Sequence, residues 1–200
     1  MLYPRYLVMA HTITRGSVPL MEAARDAADR RAAVDPVSAQ LVTYLDKHIP
    51  EEMGHDDWLL DDLEFLGVSR DEAMSHPPSP AVAAFVGSQY YYVLHSQPVA
   101  LLGYLAMLEG HPPTDELCQS AAQLSGYPLE AFRTLRKHAN LDPHHSADLD
   151  TVLDAMPLTR DQLNLITTNA MATKDRAGRL MNELVDEHPM TLLERDRTSG

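Results

Sequence analysis

Two segments of the chain carry the same pattern of metal-binding side chains. The first reads His48-Ile-Pro-Glu51-Glu52-Met-Gly-His55 and the second His138-Ala-Asn-Leu-Asp142-Pro-His144-His145, so both match His-x3-acid-x2-His. On a helix, offsets of zero, four and seven residues fall within one narrow stripe, because four residues overshoot one turn and seven undershoot two. Each segment can therefore aim two imidazoles and a carboxylate at one point. Chance supplies this template roughly 0.07 times in a chain of this composition, and it occurs twice. Imidazole with carboxylate suits iron, manganese or zinc. Helical bundles build carboxylate-bridged di-iron sites from Glu and Glu-x-x-His groups that project inward. Glu52-x-x-His55 has that spacing, and Asp142-x-x-His145 is its aspartate counterpart. A third carboxylate should come from another helix, and Glu109, which closes the otherwise uncharged run 101–108, qualifies.

Each piece has a plainer reading. Glu51, Glu52, Asp56, Asp57, Asp61 and Asp62 suit a solvated acidic face. Asp142-Pro143 suits a helix N-cap followed by proline at the first helical position, which would leave His144 and His145 exposed. Glu109, beside Gly110, suits a helix end at the surface. Convergence favours a site: a bundle can bring three acids and three histidines together.

The elements that position these groups are helices. Helix formers dominate, and no stretch keeps the period-2 alternation that strands need. Ser17 predicts a cap for a helix over residues 18–33, with Pro19 in its first turn. Asp35-Pro36 opens a long segment to about residue 66, closed by Gly67. Ser69 starts a short helix that stops before Pro77-Pro78. Ser79-Pro80 opens a segment reaching Glu109, in which Pro98 is expected to kink the helix without ending it. Shorter helices follow over 114–124 and 128–138, and a last long one over about 159–187, with Pro189 beyond it. The residue before a proline is pushed away from helical geometry, so the chain is expected to be loose around Asp142. The fold class is all-α: a single-domain bundle of about seven to nine helices over residues 1–190, then a polar tail over 191–200.

Composition narrows the function. The 200 residues suffice for a core without disulfide or metal staples. One cysteine, Cys118, rules out an internal disulfide and a zinc-thiolate site, and a lone thiol fits a reducing, cytoplasmic setting. Neither a secretory signal nor an apolar run of membrane-spanning length is read from the sequence. Acidic residues outnumber basic ones 29 to 16, a formal charge of −13, which repels phosphate backbones and argues against nucleic-acid partners.

The chain resembles the haem-oxygenase-like diiron oxidases and oxygenases, the iron-containing redox enzymes that share the TenA/PqqC-like fold. The string from Glu51 through His55, Trp58, Asp61 and Asp62 to Gly67 resembles that family's first ligand helix. Tyr90 to Pro98, continuing through Gly103 and Tyr104 to Glu109-Gly110, resembles its middle helix. His138-x3-Asp142-x2-His145 resembles its last ligand helix and is the most specific of the three. The likeness spans about residues 5–185.

The resemblance implies a haem-oxygenase-like bundle and six metal ligands: Glu52, His55, Glu109, His138, Asp142 and His145. Some family members place the first carboxylate two turns before the histidine, where this chain has His48. Glu51 also lies on the right face, so His48 and Glu51 stand as alternatives or neighbours of the first ligand. Two Fe(II) ions per chain, with O2 as co-substrate, would oxidise an amino acid-like or fatty acid-like small molecule by N-oxygenation, desaturation or carbon–carbon cleavage. Tyr91, His95, Gly103 and Tyr104 are expected to line the substrate pocket, with Gly103 leaving room, and Arg176 to pair with a substrate carboxylate or with neighbouring acids. Trp58 is expected in the core. A homodimer is compatible with the fold. Two other readings use the same scaffold without metal. One is a TenA/PqqC-like enzyme working by histidine acid–base chemistry, with Cys118 as the one thiol nucleophile; the other is a non-catalytic helical binding protein.

Overall fold

A computed structural model describes residues 2–185, and among them every regular element is a helix, without strands. Ten α-helices follow one another: α1 (Leu2–Thr14), α2 (Ser17–Ala32), α3 (Pro36–Glu52), α4 (His55–Phe65), α5 (Arg70–Ser75), α6 (Pro80–His95), α7 (Leu101–Glu109), α8 (Asp115–Ser125), α9 (Arg133–Ala155) and α10 (Arg160–Val185). Short 3-10 turns at Pro98–Ala100 and Leu129–Phe132 lead into α7 and α9. The all-α, single-domain reading holds. The boundary expected at 190/191, the tail, and the end of the last helix near residue 187 lie outside the described residues.

Side chains that satisfy the first free backbone N–H groups fix several starts. The carboxylate of Asp35 accepts from Val37 N at 3.1 Å, Ser69 Oγ from Glu72 N and Ser79 Oγ from Val82 N at 3.2 Å, and Thr114 Oγ1 from Leu117 N at 3.1 Å. Ser17 does not cap α2; it lies inside the helix, behind Gly16.

Three expected boundaries move. The long segment from Pro36 breaks between α3 and α4. Met53 (φ −61°, ψ 126°) and Gly54 (φ 85°, ψ 3°) take the two central positions of a type II turn, whose second position favours glycine. Pro98 ends α6 instead of kinking it: Ser96 leaves helical geometry at φ −130°, ψ −104°, and a 3-10 turn intervenes before α7. Pro143, by contrast, is absorbed. Helix α9 runs unbroken from Arg133 to Ala155 across it, so Asp142 sits in a helix interior, neither loose nor a cap. Docking of the buried α9 residues Asp142, His145 and Leu149 compensates for the backbone bond that proline removes.

The main core lies where α2 packs along α3 and α7 along α10. Ala24 and Ala28 let α2 approach α3 closely, and Leu20, Met21, Leu41 and Leu45, all at most 1% exposed, fill the seam; each is worth about 1.5–3 kcal/mol. Helix α1, absent from the sequence-based reading, packs along α4 through Leu7, Val8, Leu59, Leu60 and Leu63. Buried Asp62 ties α4 to α9, accepting from Thr134 N at 2.9 Å and Arg133 Nε at 3.0 Å.

Candidate metal centre

The helices bring both histidine strings and Glu109 into one buried cluster. His48, His55, Glu109, Asp142 and His145 are all under 9% exposed, and the Glu52 side chain is 12% exposed. Each donor follows from its helix. His48 and Glu52 end α3, His55 begins α4 after the Gly54 turn, Glu109 ends α7, and His138, Asp142 and His145 lie along one face of α9.

Four imidazoles and three carboxylates meet there in two halves. In one, His48 Nε2 donates to Glu109 Oε1 at 3.1 Å, and the rings of His48 and His145 stand edge to face at 5.0 Å. In the other, His138 Nδ1 donates to Asp142 Oδ1 at 2.9 Å, and the rings of His55 and His138 stand edge to face at 5.1 Å. Glu52 spans them: Oε2 accepts from His55 Nδ1 at 3.1 Å, while Oε1 faces His145 Nδ1 at 3.3 Å.

The fit to metal is tested by what remains unsatisfied. Glu109 Oε2 is buried without a hydrogen-bond partner, which ordinarily costs about 1–3 kcal/mol, and His145 Nδ1 lies 3.3 Å from Glu52 Oε1 without hydrogen-bond geometry. Both are donor types for iron, manganese or zinc. Metal–ligand bonds of about 2.1 Å at right angles put neighbouring donor atoms about 3.0 Å apart, close to the nitrogen–oxygen separations across the cluster. These residues fit divalent cations.

Without a cation, protons balance the charge. Burial opposes the charge on His48 and His138, but the hydrogen-bonded carboxylates, Glu109 and Asp142 respectively, outweigh it and raise both pKa values above the usual histidine range. Burial likewise opposes the charge on Glu52, and the hydrogen bond from His55 and the other imidazoles outweigh it, so its pKa falls.

Two aromatic rings back the imidazoles. Tyr44, one turn before His48, stacks on that ring at 5.1 Å and 15°. Trp58 covers His55 at 4.1 Å and meets the edge of His138 at 6.1 Å, with Lys137 Nζ 3.9 Å above the indole. Trp58 is thus half-buried beside the site, not in the core. Sequence reasoning missed both supports, although spacings of four residues (Tyr44–His48) and three (His55–Trp58) were available as a signal.

A cavity of about 260 Å³ opens against the cluster, with Glu52, Glu109, His138 and Asp142 on its wall. The remaining wall is mainly apolar, from Met9, Ile13, Leu105, Leu108, Leu180 and Met181 among others, and among the described residues it holds no Lys or Arg. None of the five residues expected to contact substrate lines it. Tyr91 and His95 are exposed on the outer face of α6, where their rings meet at 5.4 Å. Gly103 leaves no room for substrate: an added Cβ would stand 2.2 Å from Ile166 O, because α10 fills the space. Tyr104 is 1% exposed in the core against Phe85. Arg176 is half-buried on α10, whose residues Ala177, Leu180 and Met181 face the cavity instead. The expectation drew the wall from Tyr91, His95, Gly103 and Tyr104, whereas the cavity lies mainly between α1, α7, α9 and the Ala177–Met181 stretch of α10. Cys118 packs fully buried against Ala131 and Phe132, away from the cluster, and burial pushes its thiol pKa up.

A family model described as iron-containing redox enzyme matches residues 25–176. Among solved structures, the chain is similar to a domain of unknown function with a heme oxygenase-like fold from Shewanella denitrificans, with a TM-score of 0.82 and 17% identity over 98% of this chain and 82% of that one. It is also similar to a TenA homolog from Pseudomonas syringae pv. tomato, with a TM-score of 0.72 and 12% identity over 92% of this chain and 78% of that one. At these identities the likenesses show the fold, which is heme oxygenase-like. No protein of curated function matches the sequence. No described helix is long and apolar enough to cross a membrane.

Proposed function

The chain belongs to the family of iron-containing redox enzymes, and on that premise we propose that it is a non-haem diiron oxidase or oxygenase that uses O2 to oxidise a small molecule. The observation that carries the reading is Glu52, whose two oxygens face imidazoles of opposite halves, His145 and His55. A carboxylate so placed suits a bridge between two cations. We assign the ligands as Glu52, His55, Glu109, His138, Asp142 and His145.

Two ferrous ions held there would supply the electrons for dioxygen reduction. The protein's own contribution is orientation and dryness. Tyr44 and Trp58 hold His48 and His55 in place and limit water. The unpartnered Glu109 Oε2 and His145 Nδ1 are aligned before any ion arrives, which lowers the reorganisation that binding requires. The apolar wall seats substrate against Glu109 and Asp142. With no Lys or Arg among the described residues of that wall, a fatty acid-like body fits better than a charged amino acid side chain, and a polar head would have to sit at the metals. A thiol-nucleophile version of the metal-free reading loses support, because the one thiol is sealed in the core. The buried, unpaired Cys118 accords with a reducing compartment, and we place the enzyme in the cytoplasm.

Anaerobic titration with Fe(II) tests this. About two ions per chain are expected. At a free concentration about 100 times Kd, the gain is about 2.7 kcal/mol for each ion, a rise in Tm of about 5–10 °C per ion. Oxygen should then give a transient visible absorption, and His145→Ala should bind iron weakly. A chain that binds no iron and keeps its Tm would overturn the proposal.

A further inference from the structure

The inner cluster uses one nitrogen of each of two histidines. His48 turns Nε2 toward Glu109, and His145 turns Nδ1 toward Glu52. Their other nitrogens converge elsewhere. His48 Nδ1 lies 3.7 Å and His145 Nε2 3.9 Å from the same atom, Glu51 Oε2. Among the described residues, His48, Glu51 and His145 place one donor atom each within 4.8 Å of one another. Two imidazoles and one carboxylate with positions left open form the set that binds Fe(II) in many mononuclear sites.

We propose that His48, Glu51 and His145 form an outer divalent-cation site that takes up the first ion before it passes to the buried donors. The proposal rests on the inner centre described above. Glu51 faces both ways: its side chain is 37% exposed, while the imidazoles it meets are at most 7% exposed. The inner carboxylates Glu109 and Asp142 are at most 8% exposed, whereas Glu51 stands where an ion can exchange water for protein ligands one at a time. Lys47 Nζ, 4.0 Å from Glu51 Oε1, would repel a cation, but it is paired to Asp148 and approaches the oxygen opposite the one facing the rings. An ion on the outer nitrogens leaves the His48–Glu109 contact intact. Rotation of the His145 ring then turns the ion toward Glu52, while the inner face of that ring is still free.

The test follows uptake of Co(II) by the metal-free full chain in stopped flow, through its visible absorption, with the final count of ions per chain measured separately. Glu51→Gln keeps shape and removes the charge. It should slow uptake by about tenfold, as loss of one focusing charge does, while the final count stays at about two and the Tm of the metal-free protein is unchanged. Glu51→Asp should recover most of the rate. An unchanged rate in Glu51→Gln makes Glu51 a bystander and overturns the proposal. A count lowered by one also overturns it, since Glu51 would then be a permanent ligand. A normal chain that binds no cobalt refutes the inner centre as well, so the two failures are told apart.

Discussion

Gly103→Ala sets two known effects against each other at a site where the structure decides between them. Alanine is the better helix former by about 1 kcal/mol, and on an open helix face the change would stabilise. Here the new Cβ would stand 2.2 Å from Ile166 O and 2.9 Å from Ala170 N. Both are backbone atoms of α10 that cannot rotate aside. Relief to an ordinary contact needs α7 and α10 to separate by about 1 Å, which forfeits a quarter to a half of each contact of about 0.1–0.2 kcal/mol. Over about 40 such contacts this is near 2 kcal/mol, within the usual cost of overpacking of about 1–3 kcal/mol. Residual strain brings the total to about 3 kcal/mol, so the net loss is about 2 kcal/mol and Tm falls by about 4–8 °C. Glu109 lies six residues along the same helix, about 9 Å away, so iron binding should weaken alongside stability. Urea unfolding of the metal-free variant reads the first effect and iron titration the second. A variant as stable as the parent, or more so, would refute the claim that close backbone approach dominates at this position.

Further consequences follow from buried charge. Asp62→Ala strips two donors of their acceptor at the start of α9, Thr134 N in the interior and Arg133 Nε half exposed. Discounting the solvated arginine, we expect about 2 kcal/mol of lost stability in urea, and a loss below about 0.5 kcal/mol would contradict the role given to Asp62. In metal-free protein, His48 and His138 have raised pKa values, so their contribution is complete below the unfolded value of 6.5 and is lost as pH climbs through the folded values. Glu52, lowered, contributes above its unfolded value of 4.5 and loses that contribution under acid. Buried His11, lowered by burial first and then by Arg15, runs opposite to the other two histidines and flattens the slope. Tm in chelator should therefore fall as pH climbs above 6.5, while iron, which needs deprotonated ligands, should stabilise most at the upper end. A metal-free Tm that rises over that range would show that the carboxylates do not hold those protons.

The helical class and most helix starts were legible because capping is local: Asp35, Ser69, Ser79 and Thr114 each sit within a few residues of the N–H they satisfy. The Glu52–His55 and Asp142–His145 spacings were legible for the same reason. The partner of His48 was not, since Glu109 lies 61 residues away and only the packing of α3 on its neighbours brings them together. The cavity wall failed for a related cause. A glycine in an apolar helix reads equally as room for a ligand or as room for another backbone, and Ile166 on α10 settles it as the second. Helix α1 escaped notice although it supplies Met9 and Ile13 to the cavity. Pro143 misled because tertiary docking outweighed a local preference.

The turn at Met53-Gly54 has a consequence for how separations inside the cluster are set. Had α3 run straight on, His48, Glu52 and His55 would share a single stripe and address one ion. The corner turns the last histidine onto a second rod, so one eight-residue string serves both halves, and the distance between the halves depends on one pair of backbone angles. That joint, and not any donor, is the dimension on which the reach of the centre is ruled. Lengthening or shortening it by a residue would turn α4 and swing His55 away from Glu52, parting the two halves of the cluster.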